Sequence, residues 1–504
     1  MSDATAILFE TDAYKLDHRR QYGLAGDVSR VYSNYTNRKS RVKGIDHVVH
    51  FGLQAYLYHL KEGFERFFDA PKYQVVDEYR SRVARILGPD AAVAIGADHI
   101  AALHDLQYIP LQFNAVPEGT LVPIRVPSLT VENTHDDFFW LVNYIETSLS
   151  ANLWMPSTSA TIAHAYRVLL EDRAFLTGAD PGAVDFQLHD FSYRGMSSNE
   201  SAAASAAGHL LSFKGSDSLV AMEWIEKHYG WQYDLMSVAA TEHSVMCTGI
   251  ASDVELTGGV ERSYAEQQLF SKLLDLYPTG ILSVVSDTFD LWHVLRTILP
   301  HLREKVMKRD GKLVIRPDSG DPVKIICGNP AGRTVDEQRG VIELLWETFG
   351  GTINDEGYRE LDSHIGAIYG DSITLERADE ITHQLERMGF ASTNVVFGVG
   401  SFTYQYNTRD TFGSAMKATW AKVDGQGVNL QKDPITDDGT KKSATGRLAV
   451  HGGDDGEDFY LIENADARAQ KDSKLQPVWS DGCFLQRQTF AEVREVLQKG
   501  RVHA

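Results

Sequence analysis

Short apolar runs that end in polar or glycine turns recur through the middle of the chain. Residues 281–285 lead into Ser286-Asp287, and residues 312–315 into Arg316-Pro317-Asp318-Ser319-Gly320. Residues 365–369 lead into Gly370-Asp371, and residues 395–397 into Gly398-Val399-Gly400. Segments of helical character follow. In one, Leu375, Ala378, Ile381, Leu385 and Met388 are spaced by 3, 3, 4 and 3, which predicts a helix that Gly389 stops. Strand, turn and helix in series imply a parallel sheet with helical crossovers. Polar residues crowd the C-terminal ends of the runs, the end that carries the site in a (β/α) barrel. So many such turns favour a barrel-like α/β core over residues 151–405. An open doubly wound sheet obeys the same rule and is the alternative.

The flanks read differently. Residues 1–150 mix short helices with strand-like stretches, and 108–131 predict strands joined by a turn at Pro117-Glu118-Gly119. Residues 406–504 become loop-rich, from Asp424-Gly425-Gln426-Gly427 through Gly446-Arg447, and predict an added layer or lid. Residues 187–219 are the richest in candidate chemistry. The alternation of Val184, Phe186 and Leu188 predicts a strand ending at His189-Asp190. Phe191-Ser192-Tyr193-Arg194-Gly195, an alanine-rich helical stretch and the turn Lys214-Gly215-Ser216-Asp217 follow. Phe191 can stack on a flat ring, Arg194 can grip a phosphate and Asp217 can accept from an amide NH₂. Those are the parts of a site for a small aromatic amide next to a phosphorylated sugar.

Composition narrows the class. A chain of 504 residues, 43% hydrophobic and 23% charged, is an ordinary soluble globular protein large enough for two or three domains. A formal net charge of −20 argues against nucleic acid as a partner, although a pocket can still gather cations around a small anion. Cys247, Cys327 and Cys483 lie far apart, form no CxxC pair and cannot all pair, which points to a reducing cytoplasm. The start has no signal-peptide pattern, and no uncharged apolar run approaches ~18 residues, so no membrane span is expected.

Each polar turn admits two readings. Arg316 and Asp318 point the same way from an extended segment, a cation for phosphate beside a carboxylate for ribose hydroxyls or a metal. Alternatively they are a surface Arg–Asp turn ending a strand. Gly370-Asp371 opens a helix whose amides attract anions, or an ordinary helix start. Gly398-Val399-Gly400 is neither GxGxxG nor GxxxxGK[ST], so neither a dinucleotide fingerprint nor a P-loop is supported. Arg409 and Lys417 are phosphate cations or solvated surface charges. Asp287 can hold magnesium, directly or through water. Glu242-His243 is a structural pair, or His243 is a general base or a phosphoryl acceptor.

In order, these pieces resemble the nicotinamide phosphoribosyltransferase family. They comprise Thr11-Asp12-Ala13-Tyr14-Lys15, Val116-Pro117-Glu118-Gly119, Val131-Glu132-Asn133-Thr134, residues 189–195 and 214–217, and Glu242-His243-Ser244. Residues 283–287 and 316–322, Gly370-Asp371, Thr408-Arg409-Asp410 and Lys432-Asp433-Pro434 complete the series. The resemblance implies the type II phosphoribosyltransferase fold, a barrel-like core with a β-rich second domain, with 406–504 packing against the N-terminal region. It implies a homodimer with its sites at the subunit interface. The reaction it implies is nicotinamide plus phosphoribosyl pyrophosphate to nicotinamide mononucleotide and pyrophosphate, with Mg²⁺ and with ATP as co-substrate through a phosphohistidine. By the same resemblance Tyr14 and Phe191 sandwich the base, Asp217 accepts its amide and Arg316 contacts the amide and ribose. Asp318, Gly370 and Asp371 hold the ribose and its phosphate end. Arg194, Gly400, Arg409 and Lys417 serve phosphates, His243 is phosphorylated, and Asp287 and Asp318 support magnesium. Ser192, Ser401 and Ala415 depart from the family pattern around the ring and phosphate. Nicotinate phosphoribosyltransferase shares the fold, but Asp217 would repel a carboxylate substrate. A non-catalytic nucleotide-binding protein on this scaffold would not need His243, Asp287 and Asp318. A barrel glycosidase needs a carboxylate pair that no spacing singles out.

Overall fold

The apolar runs become the strands Leu282–Val285, Leu313–Arg316, Ile365–Tyr369 and Val395–Val399. The computed structural model describes residues 3–256, 261–436, 442–453 and 458–501. Every residue of Leu282–Val285 and of Ile365–Tyr369 is buried, as strands covered on both faces must be. With three shorter strands they form a seven-stranded sheet. Its order is Gly215–Ser216, Leu188–Asp190, Val395–Val399, Ile365–Tyr369, Leu313–Arg316, Leu282–Val285, Ala239–Ala240. Every neighbouring pair is parallel. A further parallel bridge joins Gly215, on one edge strand, to Met236, just ahead of the other. There Ser216 N–H donates to the Met236 carbonyl at 3.0 Å and Met236 N–H to the Lys214 carbonyl at 2.8 Å. The sheet therefore curls toward closure, and the core is barrel-like rather than an open doubly wound sheet. It belongs to a compact unit of Ile162–Met222 and Asp234–Tyr406.

Several local expectations are corrected. Val184 and Phe186 lie in a 3₁₀ turn, Pro181–Phe186, not a strand. Pro181 presets its first φ and the Asp180 carboxylate accepts from Gly182 N–H, so the turn wins over the alternating pattern. The strand is only Leu188–Asp190. Lys214-Gly215-Ser216-Asp217 is not wholly a turn, because Gly215–Ser216 pairs with His189 and Asp190. Gly398 and Val399 continue their strand rather than leaving it. Gly370-Asp371 does not open the next helix. Ser372 takes a left-handed φ of 56°, and Thr374 caps Leu375–Arg387 by accepting from Arg377 N–H. That helix buries Ala378, Ile381 and Leu385, as its spacing predicts, and Gly389 follows at φ 76°.

The other unit comprises Met1–Thr161, Glu223–Tyr233 and Asn407–Ala504. Its seven-stranded antiparallel sheet runs Gln426–Asn429, Ser414–Val423, Val28–Asn37, Pro127–Asn133, Leu111–Ala115, Gln476–Ser480, Cys483–Phe484. Leu111, Phe113 and Ala115 alternate inward, the period-two signature of a sheet with one covered face. They share a core with Leu57, Leu60, Phe64 and Phe67 of the helix Leu53–Asp69 and with Trp479. The strands expected in 108–131 form on either side of the Glu118-Gly119 turn. Residues 437–441 of the expected C-terminal layer lie outside the described residues.

Candidate active site

Parallel pairing places the C-terminal ends of seven strands along one rim, and the turns that begin at Phe191, Asp217, Ser286, Pro317, Gly370 and Gly400 start there. Phe191 leaves its strand with N–H donating to the Val399 carbonyl at 2.8 Å. Its ring stays in place because Gly398 has no side chain; a Cβ there would lie 2.7 Å from the ring and 2.8 Å from Gly370 Cα. A Cβ on Gly370 would in turn lie 3.3 Å from Asp318 Oδ1. Phe191, Gly370 and Asp318 are thus immediate neighbours.

Two carboxylates organise this rim. Asp287 Oδ2 accepts from Asp318 N–H at 2.9 Å and from Ser319 Oγ at 2.6 Å, which fixes the turn after Leu313–Arg316. Its Oδ1 is buried without a hydrogen-bond partner and lies 3.9 Å from His243 Nε2. Asp217 Oδ1 accepts from His189 Nε2 at 3.0 Å and from Ser237 Oγ at 2.5 Å. Burial pushes the Asp217 carboxyl up, but hydrogen bonds from His189 and Ser237 and the Arg316 charge outweigh it. They hold it below the usual carboxylate range. Arg316 donates to the Thr241 carbonyl at 2.6 Å. Burial lowers its pKa against the opposing pull of Asp318, Asp217 and Asp287, with Arg194 adding to the lowering. The rim therefore holds an Arg316 cation among three carboxylates, beside an aromatic face.

His243 does not sit on a strand. It is the first residue of the helix His243–Leu256, where Glu242 C=O accepts from Met246 N–H at 3.1 Å. The imidazole is half exposed while Asp287 is buried, so the ring is reachable from solvent on one side. Arg194 is exposed in the turn Tyr193–Gly195. Asp371 is exposed and accepts from Ser372 Oγ at 2.9 Å. Gly400 precedes the short helix Ser401–Tyr404. Tyr14, Arg409 and Lys417 belong to the antiparallel unit. Tyr14 is exposed and donates to Asp12 Oδ2 at 3.2 Å, and Arg409 pairs with Asp410 at 3.1 Å. Lys417 Nζ donates to the Met416 carbonyl at 2.6 Å and lies 3.7 Å from Glu146, whose other oxygen takes Lys15 at 2.8 Å. Among the described residues, no group of three or more His, Cys, Asp or Glu side chains forms a ready metal cage, and no helix is long and apolar enough to cross a membrane. The three cysteines are free.

His189, Ser237, Thr241 and Ser319 were not singled out by role from sequence, yet each holds a rim residue. His189 carried a usable signal, because it precedes Phe191 by two in an extended segment and so shares its face. Their rings are 4.6 Å apart. Ser237 carried none, since its partner is twenty residues away.

The model of the nicotinate phosphoribosyltransferase (NAPRTase) family matches residues 186–500. A nicotinamide phosphoribosyltransferase of Acinetobacter baylyi is 46% identical over 502 residues, covering 96% of each chain. One of Mycoplasma pneumoniae is 36% identical, covering 88% of this chain and 95% of the relative. Among solved structures, a nicotinate-nucleotide pyrophosphorylase from Pyrococcus furiosus superposes with a TM-score of 0.58 at 14% identity, covering 99% and 96%. The human nicotinic acid phosphoribosyltransferase does so with 0.55 at 17%, covering 98% and 94%. At those identities the structures speak to the fold alone, and they share this barrel-like α/β architecture. Sequence and fold together make this chain a phosphoribosyltransferase of the nicotinate phosphoribosyltransferase (NAPRTase) family.

Proposed function

We propose that the chain transfers the phosphoribosyl group of phosphoribosyl pyrophosphate to the ring nitrogen of nicotinamide, releasing pyrophosphate. The observation that carries this reading is Asp217. It is a carboxylate held ionised, with both of its donors on Oδ1, and 43% of its side chain is exposed. An anion with a free acceptor oxygen suits an amide NH₂ and opposes the carboxylate of nicotinate. Phe191 would supply one stacking face, with Tyr14 of a partner subunit the other in a homodimer. Arg316 would bridge the amide and ribose. Asp318, Gly370 and Asp371 would hold the ribose, and Arg194 and Gly400 its phosphates, together with Arg409 of the partner subunit and Lys417 of the partner subunit.

The pyridine nitrogen is the nucleophile, so the protein need only align it with the anomeric carbon and stabilise the departing pyrophosphate. The orphaned Asp287 Oδ1 and the neighbouring Asp318 carboxylate fit a hard divalent cation that keeps much of its water. They would hold Mg²⁺, which when bound neutralises pyrophosphate charge. His243, whose Nε2 lies 3.9 Å from Asp287 Oδ1, would accept the γ-phosphoryl group of ATP. The full-length relatives named for nicotinamide support the base assignment. The test offers the purified protein nicotinamide or nicotinate with phosphoribosyl pyrophosphate and Mg²⁺, and identifies the mononucleotide by mass. Nicotinamide is expected to be strongly preferred, and Asp217→Asn to weaken the preference. Equal kcat/KM for the two bases would remove the reading.

A further inference from the structure

Asp217 owes its state to its neighbours. His189 is buried, and its ring is walled in. Phe191 lies 4.6 Å away on one side, and on another a Cβ at Gly215 would come within 2.7 Å of His189 Nδ1. The parallel register that opposes His189 to Gly215 therefore requires a glycine at 215. The Gly215 carbonyl is itself held by His209 Nε2 at 2.9 Å, and Asp217 N–H donates to the Asp190 carbonyl at 2.9 Å. With the ring and the 215–217 backbone both anchored, His189 Nε2 has one partner, Asp217 Oδ1 at 3.0 Å. An ionised carboxylate only accepts, so Nε2 carries the proton. Ser237 Oγ, from a different segment, approaches the same oxygen at 2.5 Å.

We infer that His189, seconded by Ser237, is a positioning residue that sets base specificity, by occupying Oδ1 of Asp217 and leaving Oδ2 as the acceptor for the base. This rests on the reading of Asp217 as the amide acceptor given above. Without the two donors the carboxylate is free to rotate, and only the Arg316 charge still opposes burial. A carboxylate no longer held by Oδ1 loses the orientation that presents Oδ2 to an amide NH₂, so its discrimination against nicotinate weakens.

The test measures kcat/KM for nicotinamide and nicotinate in His189→Phe, His189→Gln, Ser237→Ala and Asp217→Asn. His189→Phe should cut the nicotinamide-to-nicotinate ratio by about tenfold or more, the scale of losing a charge-assisted hydrogen bond. KM for phosphoribosyl pyrophosphate should stay within about twofold, because uniform damage to the fold would move both substrates. His189→Gln, whose amide N–H reaches the place of Nε2, should recover most of the ratio. Ser237→Ala should lower it by about threefold, a smaller effect because the bond is exposed and water can replace the lost donor. In the unmutated protein, NMR of ¹⁵N-labelled histidine should show His189 protonated on Nε2. If His189→Phe does not fold, Ser237→Ala, His189→Gln and the NMR assignment decide. An unchanged ratio in both His189→Phe and Ser237→Ala overturns the inference. So does a His189→Gln variant as unselective as the Phe variant, or a His189 protonated only on Nδ1. If Asp217→Asn shifts the ratio and the His189 and Ser237 variants do not, this inference alone fails. If Asp217→Asn leaves the ratio unchanged, the amide reading of Asp217 fails and takes this inference with it.

Discussion

Glu118 of the antiparallel unit and Asp287 of the barrel-like unit are both buried carboxylates that accept several hydrogen bonds, but the bonds are shared out differently. Glu118 Oε1 takes Gln54 N–H at 2.6 Å, and Oε2 takes Gly52 N–H at 3.1 Å and Tyr229 Oη at 2.7 Å. Both oxygens are used, on groups that fix backbone turns and close a helix start. Asp287 spends Oδ2 on Asp318 N–H and Ser319 Oγ and leaves Oδ1 without a hydrogen bond. Asp217 repeats the pattern, with both donors on Oδ1. A carboxylate with both oxygens engaged is structural cement. One with a single engaged oxygen is oriented by the fold while keeping capacity for a ligand, and both examples stand on the rim where the strands end.

Removing Asp287 should have the largest effect on catalysis. Asp287→Ala frees the Asp318 turn and strips His243 of its neighbouring acid. ATP-independent mononucleotide formation is expected to fall by about 10²–10³-fold in kcat/KM, roughly 3–4 kcal/mol of transition-state stabilisation. His243→Ala should instead abolish ATP hydrolysis and ATP-stimulated synthesis while sparing much of that basal reaction. Radiolabel from γ-labelled ATP should be lost from the His243 variant. An Asp287 variant no worse than the His243 variant in the basal assay would break the comparison.

Glu118→Ala should do the reverse. It strands a buried hydroxyl and two backbone N–H groups, and is expected to cost about 3–5 kcal/mol of unfolding free energy in a denaturant titration. The base preference of the protein that remains folded should be unchanged. A loss under about 1 kcal/mol would mean that water replaces the lost acceptor.

Glu266 sharpens the comparison with the smallest effect. It is buried with Oε1 unpartnered, and burial, aided by the Asp290 charge, raises its pKa to about 7. A carboxyl whose folded pKa exceeds its unfolded value binds its proton more tightly when folded. Its contribution to stability is therefore present below the unfolded value and lost as pH rises toward 7. Glu266→Gln should thus stabilise the protein at pH 8 by roughly 1–2 kcal/mol more than at pH 5, a figure reduced for residual solvent screening. Thermal unfolding of both proteins at the two pH values measures this, and a difference independent of pH would show that Glu266 stays ionised in the fold.

Much of this was legible along the chain. Apolar runs of four or five residues ending at Asp287, Arg316 and Gly370 specify strands and, in series with helices, a parallel sheet, because period and run length are local properties. Spacing alone located the buried face of Leu375–Arg387. The resemblance points to Phe191, Asp217, His243 and Asp318. Where local signals conflicted, turn chemistry won over the apolar pattern. Asp180 and Pro181 turned an alternating segment into a 3₁₀ turn.

What the sequence by itself determined is the inventory: which residue types stand at the ends of which strands, and that a rim of acids, a cation and an aromatic ring would result. Only the tertiary structure decided which oxygen of each acid is engaged. Asp217 is 28 residues from His189 and 20 from Ser237, and Asp287 is 31 and 32 from its two donors. Those distances are bridged by parallel strand pairing, whose register no local pattern encodes. A hydrogen bond needs its donor within about 3 Å, so a one-residue slip would turn His189 to the opposite face and undo the arrangement.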